Sequence, residues 1–353
     1  MSKLIAALLI CMALAGCVAP TTRTANATKE QVDQEAVYQR ELVVQRDTEN
    51  RRRLDTVWTR IRISSAELCE TKTAVLGLYP LESKANDTAA IVQKLYRLPA
   101  GLSAYLVPPG SPAAAAGLEQ GDEIRAINGQ AVASMKEVSE ATKELEAGKA
   151  VQLSLSRNGQ EKTLDVLPVA ACGYGMEVSN GTEVNAYADG KKLVITRGML
   201  EFVKSDEELA LVVSHELAHN MMKHMDAKKT NAMGGLLADL AMMVATRGLY
   251  RNTHIANAAG GAYSQEFESE ADYVGLYLMA RAGYRIDEAP KFWRRMAVAN
   301  PANIKSNHSA SHPSTAQRMV ALDNAVAEIN QKKNAGQALM PNLKEKTASK
   351  DEK

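Results

Sequence analysis

The chain lacks an excess of either charge: 42 lysines and arginines stand against 41 aspartates and glutamates, a net charge of +1 over 353 residues. Nucleic-acid binding needs a clustered basic footprint, and nothing here resembles one, so nucleic acid is not an expected partner. Beyond the first twenty residues there is no apolar run that reads as a membrane span. The closest, Met233 to Val244, is small, methionine-rich and interrupted by Asp239. It reads either as a gate over a cleft or as a plain helix packed on the core. Cysteine is scarce, with four in the chain, so stability rests mainly on apolar burial; 46% apolar residues suffice for two compact units.

The most informative stretch is Val213-Ser214-His215-Glu216-Leu217-Ala218-His219. Side chains four apart on an α-helix share a face, so both imidazoles can reach one metal ion. Glu216 lies beside them, placed to take a proton from the attacking water without being a ligand. The helix itself is predicted by Ser205-Asp206-Glu207-Glu208, which has the S-x-x-E form of a capping box, and by the aliphatic Leu209, Leu211, Val212 and Val213 after it. Such a helix is largely buried, and a buried imidazole pair needs partners, which a metal supplies.

Downstream runs Glu268-Ser269-Glu270-Ala271-Asp272-Tyr273-Val274-Gly275, again helical in pattern. Glu268 and Asp272 share a face. One carboxylate can complete a His/His/Glu zinc site, and the other can accept the outer N–H of a ligand histidine and fix its tautomer. Standing alone these acids would read as a solvated helix face. Beside the two histidines they read as part of a site. His224 and His254 read as surface or packing residues, not ligands.

Four segments in sequence order resemble the gluzincin metallopeptidases of the HtpX and CAAX-prenyl-protease type, peptidase family M48. They are Asn185-Ala186-Tyr187-Ala188-Asp189-Gly190 leading to Leu193–Leu200, then His215–His219, then Glu268–Asp272, then His312-Pro313-Ser314-Thr315-Ala316-Gln317-Arg318. The resemblance implies one Zn²⁺ per chain held by His215, His219 and Glu268, with Glu216 as the catalytic base and Asp272 behind a ligand histidine. It implies that Asn185 and Ala186 belong to an edge strand that grips an extended substrate backbone. For His312 it leaves two roles open: approach to the metal, as a fourth ligand or near the oxyanion, or bracing, with Arg318, of the helix that carries Asp272.

Lys3 followed by the apolar run Leu4 to Leu14 reads as a secretory signal. It ends in Leu14-Ala15-Gly16-Cys17, which resembles a bacterial lipoprotein box and implies cleavage before Cys17 and acylation of that residue; the alternative is an ordinary secretory signal with Cys17 incidental. Val18 follows, with no Asp to hold the protein at the inner membrane. The expected location is therefore the outer membrane, facing the periplasm, with the membrane as a partner through the anchor.

Gly110-Ser111-Pro112 through Asn128-Gly129 resembles the core of a bacterial PDZ domain, with Asn128-Gly129 and Asn158-Gly159 as hairpin turns. Such a domain binds a peptide or chain end between a strand and a helix, or only spaces or shields the active site. Ala100-Gly101-Leu102-Ser103 is the expected carboxylate-binding loop. With Cys11 lost in the signal and Cys17 lipidated, Cys69 and Cys172 remain as an even pair bracketing the module, either as a disulfide or as two buried thiols.

The expected fold class is α+β, a mostly helical metallopeptidase domain with a small active-site edge sheet and an inserted PDZ-like domain. The expected layout is a signal over 1–16, a tether over 17–36, a helical part of the catalytic unit over 37–88, the PDZ-like domain over 89–170, the peptidase domain over 171–330 and a disordered tail over 331–353. The expected function is zinc-dependent endopeptidase of the bacterial envelope, acting on unfolded or misassembled polypeptides. The alternative is a PDZ-bearing assembly factor or holdase with a latent or structural metal site.

Overall fold

The structure is a computed structural model that describes residues 21–22, 25–247, 249–250, 253–261, 264–299 and 315–342. The signal, Cys17 and His312 lie outside the described residues. The fold is α+β.

The first element is a long helix, α1 (Lys29–Ser64). Its start falls inside the expected tether, because Thr28-Lys29-Glu30-Gln31 is itself a capping box: Gln31 N–H donates to Thr28 Oγ1 at 3.2 Å and Thr28 N–H to Gln31 Oε1 at 2.9 Å. Residues 1–44 form one contact unit and residues 45–353 the other. In the first, the apolar Val37 and Tyr38 of α1 are exposed.

In the second unit the chain runs through β1 (Lys72–Val75), β2 (Tyr79–Glu82), α2 (Asp87–Tyr96), β3 (Leu102–Leu106), α3 (Pro112–Ala115), β4 (Glu123–Ile127) and β5 (Gln130–Ala131). Then come α4 (Met135–Ala141), β6 (Val151–Arg157), β7 (Gln160–Val166) and β8 (Val169–Cys172). Strands β2 to β7 make one sheet in the order β2-β3-β4-β6-β7, with β5 paired to β4. Asn128-Gly129 and Asn158-Gly159 turn its hairpins with positive φ at both residues, as tight reversals between right-twisted strands require. This sheet starts ahead of residue 89, because β2 is separated from β3 by the helix α2.

At the neck of this module β1 pairs antiparallel with β8, with Lys72 opposite Cys172, and a disulfide joins Cys69 to Cys172 across a sequence separation of 103. Closing so long a loop removes much freedom from the unfolded chain. Replacing both cysteines with serine is therefore expected to cost roughly 2–4 kcal/mol, read from denaturant unfolding under non-reducing conditions. An unchanged unfolding free energy would contradict this.

The remaining elements are β9 (Gly175–Ser179), β10 (Ala186–Ala188), β11 (Lys192–Thr196), α5 (Arg197–Phe202), α6 (Asp206–Met221) and α7 (His224–Ala245). After them come α8 (His254–Gly261), α9 (Ser264–Arg281), α10 (Ala289–Ala299) and α11 (Ala316–Asn334). A three-stranded sheet in the order β10-β11-β9 lies against the helices, and one apolar core joins α1, β11, α6, α9, α10 and α11 through Trp58, Ile195, Val213, Tyr277, Phe292 and Leu322.

Two expectations change here. Met233 to Val244 lies within helix α7, but it is not packed on the core: Met233, Leu237 and Val244 stay 68–70% exposed, while Asp239 turns inward and accepts the Tyr250 hydroxyl and the Ile255 N–H. The expected disordered tail is ordered through Asn342. Lys332 Nζ donates to Met340 O and Asn342 Oδ1, Arg281 Nη1 donates to Leu339 O, and Leu339 packs on the core, so charged groups on two helices hold the segment by its carbonyls.

Candidate metal centre

The helix α6 begins as its sequence predicts, with Ser205 capping the Glu208 N–H, though the Glu208 carboxylate accepts from Lys204 N and Arg295 instead of completing the box. From Leu209 to Asn220 every residue of α6 is buried, so both histidines are presented inside the protein. Helix α9 crosses close by. A β-carbon at Gly275 would lie 3.1 Å from the N and Cα of His215, so glycine there permits the approach that brings Glu268 to the histidines.

Three ligand-type atoms converge. His215 Nε2 and His219 Nε2 are 3.1 Å apart, and each is 3.4 Å from an oxygen of Glu268. Tetrahedral zinc with bonds near 2 Å needs ligand atoms about 3.3 Å from one another. Among the described residues these three are the one His/Cys/Asp/Glu group with metal-binding spacing.

Charge makes the same demand. Glu216, Glu268 and Asp272 are all buried, against the single buried guanidinium of Arg318. Acidic groups outnumber the guanidinium here, an excess that a divalent cation can balance and an apolar interior cannot. Burial works to lower the His215 pKa, but the Asp272 and Glu268 carboxylates outweigh it and push it up to about 10. Burial, against the pull of Glu268 and with the help of a charge on His215, takes His219 down to about 4. The carboxylates thus favour positive charge at this position. The donor set fits a divalent metal.

Around these atoms lies a supporting layer. His215 Nδ1 is 3.0 Å from Asp272 Oδ1, and Arg318 clamps the same carboxylate with Nε at 2.8 Å and Nη2 at 3.0 Å. Arg318 Nη1 also reaches Glu268 Oε2 at 3.2 Å. Burial works to raise the Asp272 pKa, yet Arg318 and His215 hold it below the usual carboxylate value. Arg318 therefore braces Asp272. Trp293 walls the site, its ring centroid 5.0 Å from that of His215. His254 is exposed, whereas His224 is buried and hydrogen-bonded to both His219 and Glu270. The sequence offered no signal for Trp293, and for His224 only its place five residues after His219.

Asn185 leads into β10, and Ala186 is its first residue. Strand β10 is at the sheet's edge, and Asn220, directly after His219, holds the turn from β10 into β11 by accepting the Gly190 N–H at 2.8 Å and donating to Lys192 O at 3.2 Å. In the larger sheet the expected loop at Ala100–Ser103 is displaced. It leads into β3, which is buried throughout and flanked by β2 and β4, so no peptide can add there. The edge strand beside α4 is β2, entered through Leu76-Gly77-Leu78 with Gly77 at φ 71°, and α4 approaches it where Met135 N–H donates to Glu82 Oε2 at 3.0 Å.

Residues 152–326 match the family model of peptidase family M48, and residues 78–167 match the PDZ domain model. The chain is 30% identical over 149 residues to the mitochondrial metalloendopeptidase OMA1 of Arabidopsis thaliana, covering 42% of this chain and 30% of that protein. It is 25% identical over 130 residues to the beta-barrel assembly-enhancing protease of Escherichia coli K12, covering 33% of this chain and 27% of that one. The chain thus spans less than half the length of these relatives. A structure of the HtrA3 PDZ domain bound to a phage-derived ligand aligns with 29% of this chain and 91% of its own, at 20% identity and a TM-score of 0.23. With one match lying over His215, His219, Glu268 and Arg318 and the other over β2 to β7, the chain carries a peptidase family M48 domain and a PDZ domain.

Proposed function

We propose that the chain is a zinc-dependent endopeptidase of the bacterial cell envelope that cleaves unfolded or misassembled proteins. The observation that carries this reading is the buried trio His215, His219 and Glu268, spaced at 3.1–3.4 Å, with the buried carboxylate of Glu216 between the two histidines on the same helix. Zinc held by that trio supplies Lewis-acid polarisation of the scissile carbonyl and acidifies the attacking water. Glu216 takes the proton from that water and passes it to the departing amine. Asp272, clamped by Arg318, keeps the His215 ring turned so that Nε2 faces inward.

Substrate is held as an extended strand along the edge strand β10 by backbone hydrogen bonds that read no sequence, while Asn185, whose N–H and C=O both bond Thr196, fixes the start of that strand. A second extended segment or chain end adds to β2 beside α4 in the PDZ domain. Folded proteins protect their strand edges, so the arrangement favours unfolded chains. Cys17 supplies the lipid anchor, and among the described residues no helix is long and apolar enough to cross a membrane. The test is digestion of an unfolded protein such as reduced casein by the zinc-loaded chain, beside a compact folded protein as control. The unfolded substrate is expected to be cut and the folded one spared. Equal cleavage of both, or of neither, sinks this substrate class.

A further inference from the structure

Two groups beside the site have no part in the chemistry so far: His224 and Glu270, the middle acid of Glu268-Ser269-Glu270-Ala271-Asp272. Helix α6 stops at Met221, and Lys223, at φ 56°, reverses the chain so that His224 folds back beneath His219. There it is 1% exposed. Its Nδ1 lies 2.9 Å from His219 Nδ1, its Nε2 lies 2.9 Å from Glu270 Oε2, and Phe267 stacks on its ring with centroids 4.6 Å apart at 23°.

A bond between two Nδ1 atoms needs one to donate and the other to accept. His219 Nε2 faces His215 and Glu268, so the lone pair a metal requires must sit on that nitrogen and the ring's proton on Nδ1. His219 Nδ1–H then donates to His224 Nδ1, and His224 keeps its own proton on Nε2, where it donates to the Glu270 carboxylate. With neutral rings this assignment alone gives every one of these atoms a suitable partner. The reverse direction puts a proton on His219 Nε2 and turns a bare nitrogen of His224 toward a carboxylate.

We infer that His224, backed by Glu270, is a positioning residue that holds the His219 ring in the tautomer and orientation that present Nε2 to the metal. The inference rests on the metal site proposed above, but not on peptide hydrolysis. The two ligand histidines are thus oriented by different devices: His215 by a carboxylate in direct contact, His219 by a carboxylate acting through a second imidazole. Glu270 has 46% of its side chain exposed, and His224 bridges the distance from there to the buried ligand.

The experiment is competition for zinc between a chelator and metal-stripped protein, together with the visible spectrum of the cobalt(II)-substituted chain. Loss of an outer hydrogen-bond partner of this kind typically weakens metal binding about 10–100-fold. His224→Ala is expected to show that loss and an altered cobalt spectrum. His224→Asn, whose side-chain oxygen can stand where Nδ1 stood and accept from His219, is expected to recover most of the affinity. Glu270→Gln, at the half-exposed outer end, is expected to lose part of that factor, and it carries the test if His224→Ala does not fold. Wild-type affinity and spectrum in His224→Ala, or in Glu270→Gln when that variant carries the test, overturn the inference, as does equal weakening in His224→Ala and His224→Asn, which marks mere packing. A wild-type chain that binds no metal takes down the metal site and this inference together. One that binds metal with these affinity ratios but cleaves nothing leaves the inference standing and removes only the peptidase reading.

Discussion

Glu216→Gln is expected to keep one zinc per chain while cleavage of unfolded protein falls by roughly 10²–10⁴-fold or more. The amide has the shape of the carboxylate but cannot take a proton, and Glu216 is not among the three atoms that converge on the metal position. Its neighbourhood is nonetheless charged: Glu216 lies close enough to raise the proton affinity of both His219 and Arg318. Removing its charge therefore relieves the pocket of one buried carboxylate, and stability should not suffer. The paired readout is metal content and initial cleavage rate on the same preparation. A variant that digests unfolded protein as fast as wild type would end the peptidase assignment and put the binding-module reading in its place.

Arg318→Met is expected to cost about 3–5 kcal/mol of stability, because it leaves Asp272 and Glu268 buried without their cation. Arg318→Lys keeps the charge but loses the two-pronged grip on Asp272, and should cost less. The pH dependence has a definite sign. Asp272 has a depressed pKa in the wild-type fold, so its contribution is present above the ordinary carboxylate pKa and is lost as pH falls through the lower folded value. Without Arg318 only His215 still favours the ionised Asp272 against burial, so that form is less well held and the deficit of Arg318→Met should be largest near neutral pH and shrink in acid. Denaturant unfolding of metal-free protein at several pH values reads this directly. A uniform deficit across pH, or none, would contradict the clamp.

What was legible in the sequence was whatever depends on short spacing. The i, i+4 histidines, the cap at Ser205, the carboxylates of Glu268–Asp272 and the Asn-Gly turns are local patterns that map onto helix faces and hairpins without knowledge of the rest of the chain. What was hidden depends on reversals and on distant partners. His224 reaches His219 through a left-handed lysine, a conformation that no propensity assigns to Lys223. The edge strand β2, where a peptide is proposed to add, is separated in sequence from the rest of its sheet by the ten-residue helix α2, so periodicity places the module's start after it. The capping box at Thr28 was readable but lay in a stretch whose small polar composition suggested a tether. The order beyond Asn334 comes from Lys332, Arg281 and Tyr273 binding backbone or side-chain groups of the last described residues, contacts that exist only once the helices are packed.

The central claim is that His215, His219 and Glu268 hold one metal on which peptide cleavage depends. The most direct measurement is elemental analysis of the purified wild-type chain, followed by stripping with a chelator and stepwise return of zinc while digestion of unfolded protein is recorded. The account predicts one zinc per chain, digestion abolished on stripping, and activity regained with a break at one equivalent. Digestion that persists in fully stripped protein, or zinc bound at one equivalent with no digestion at any point of the titration, would contradict it.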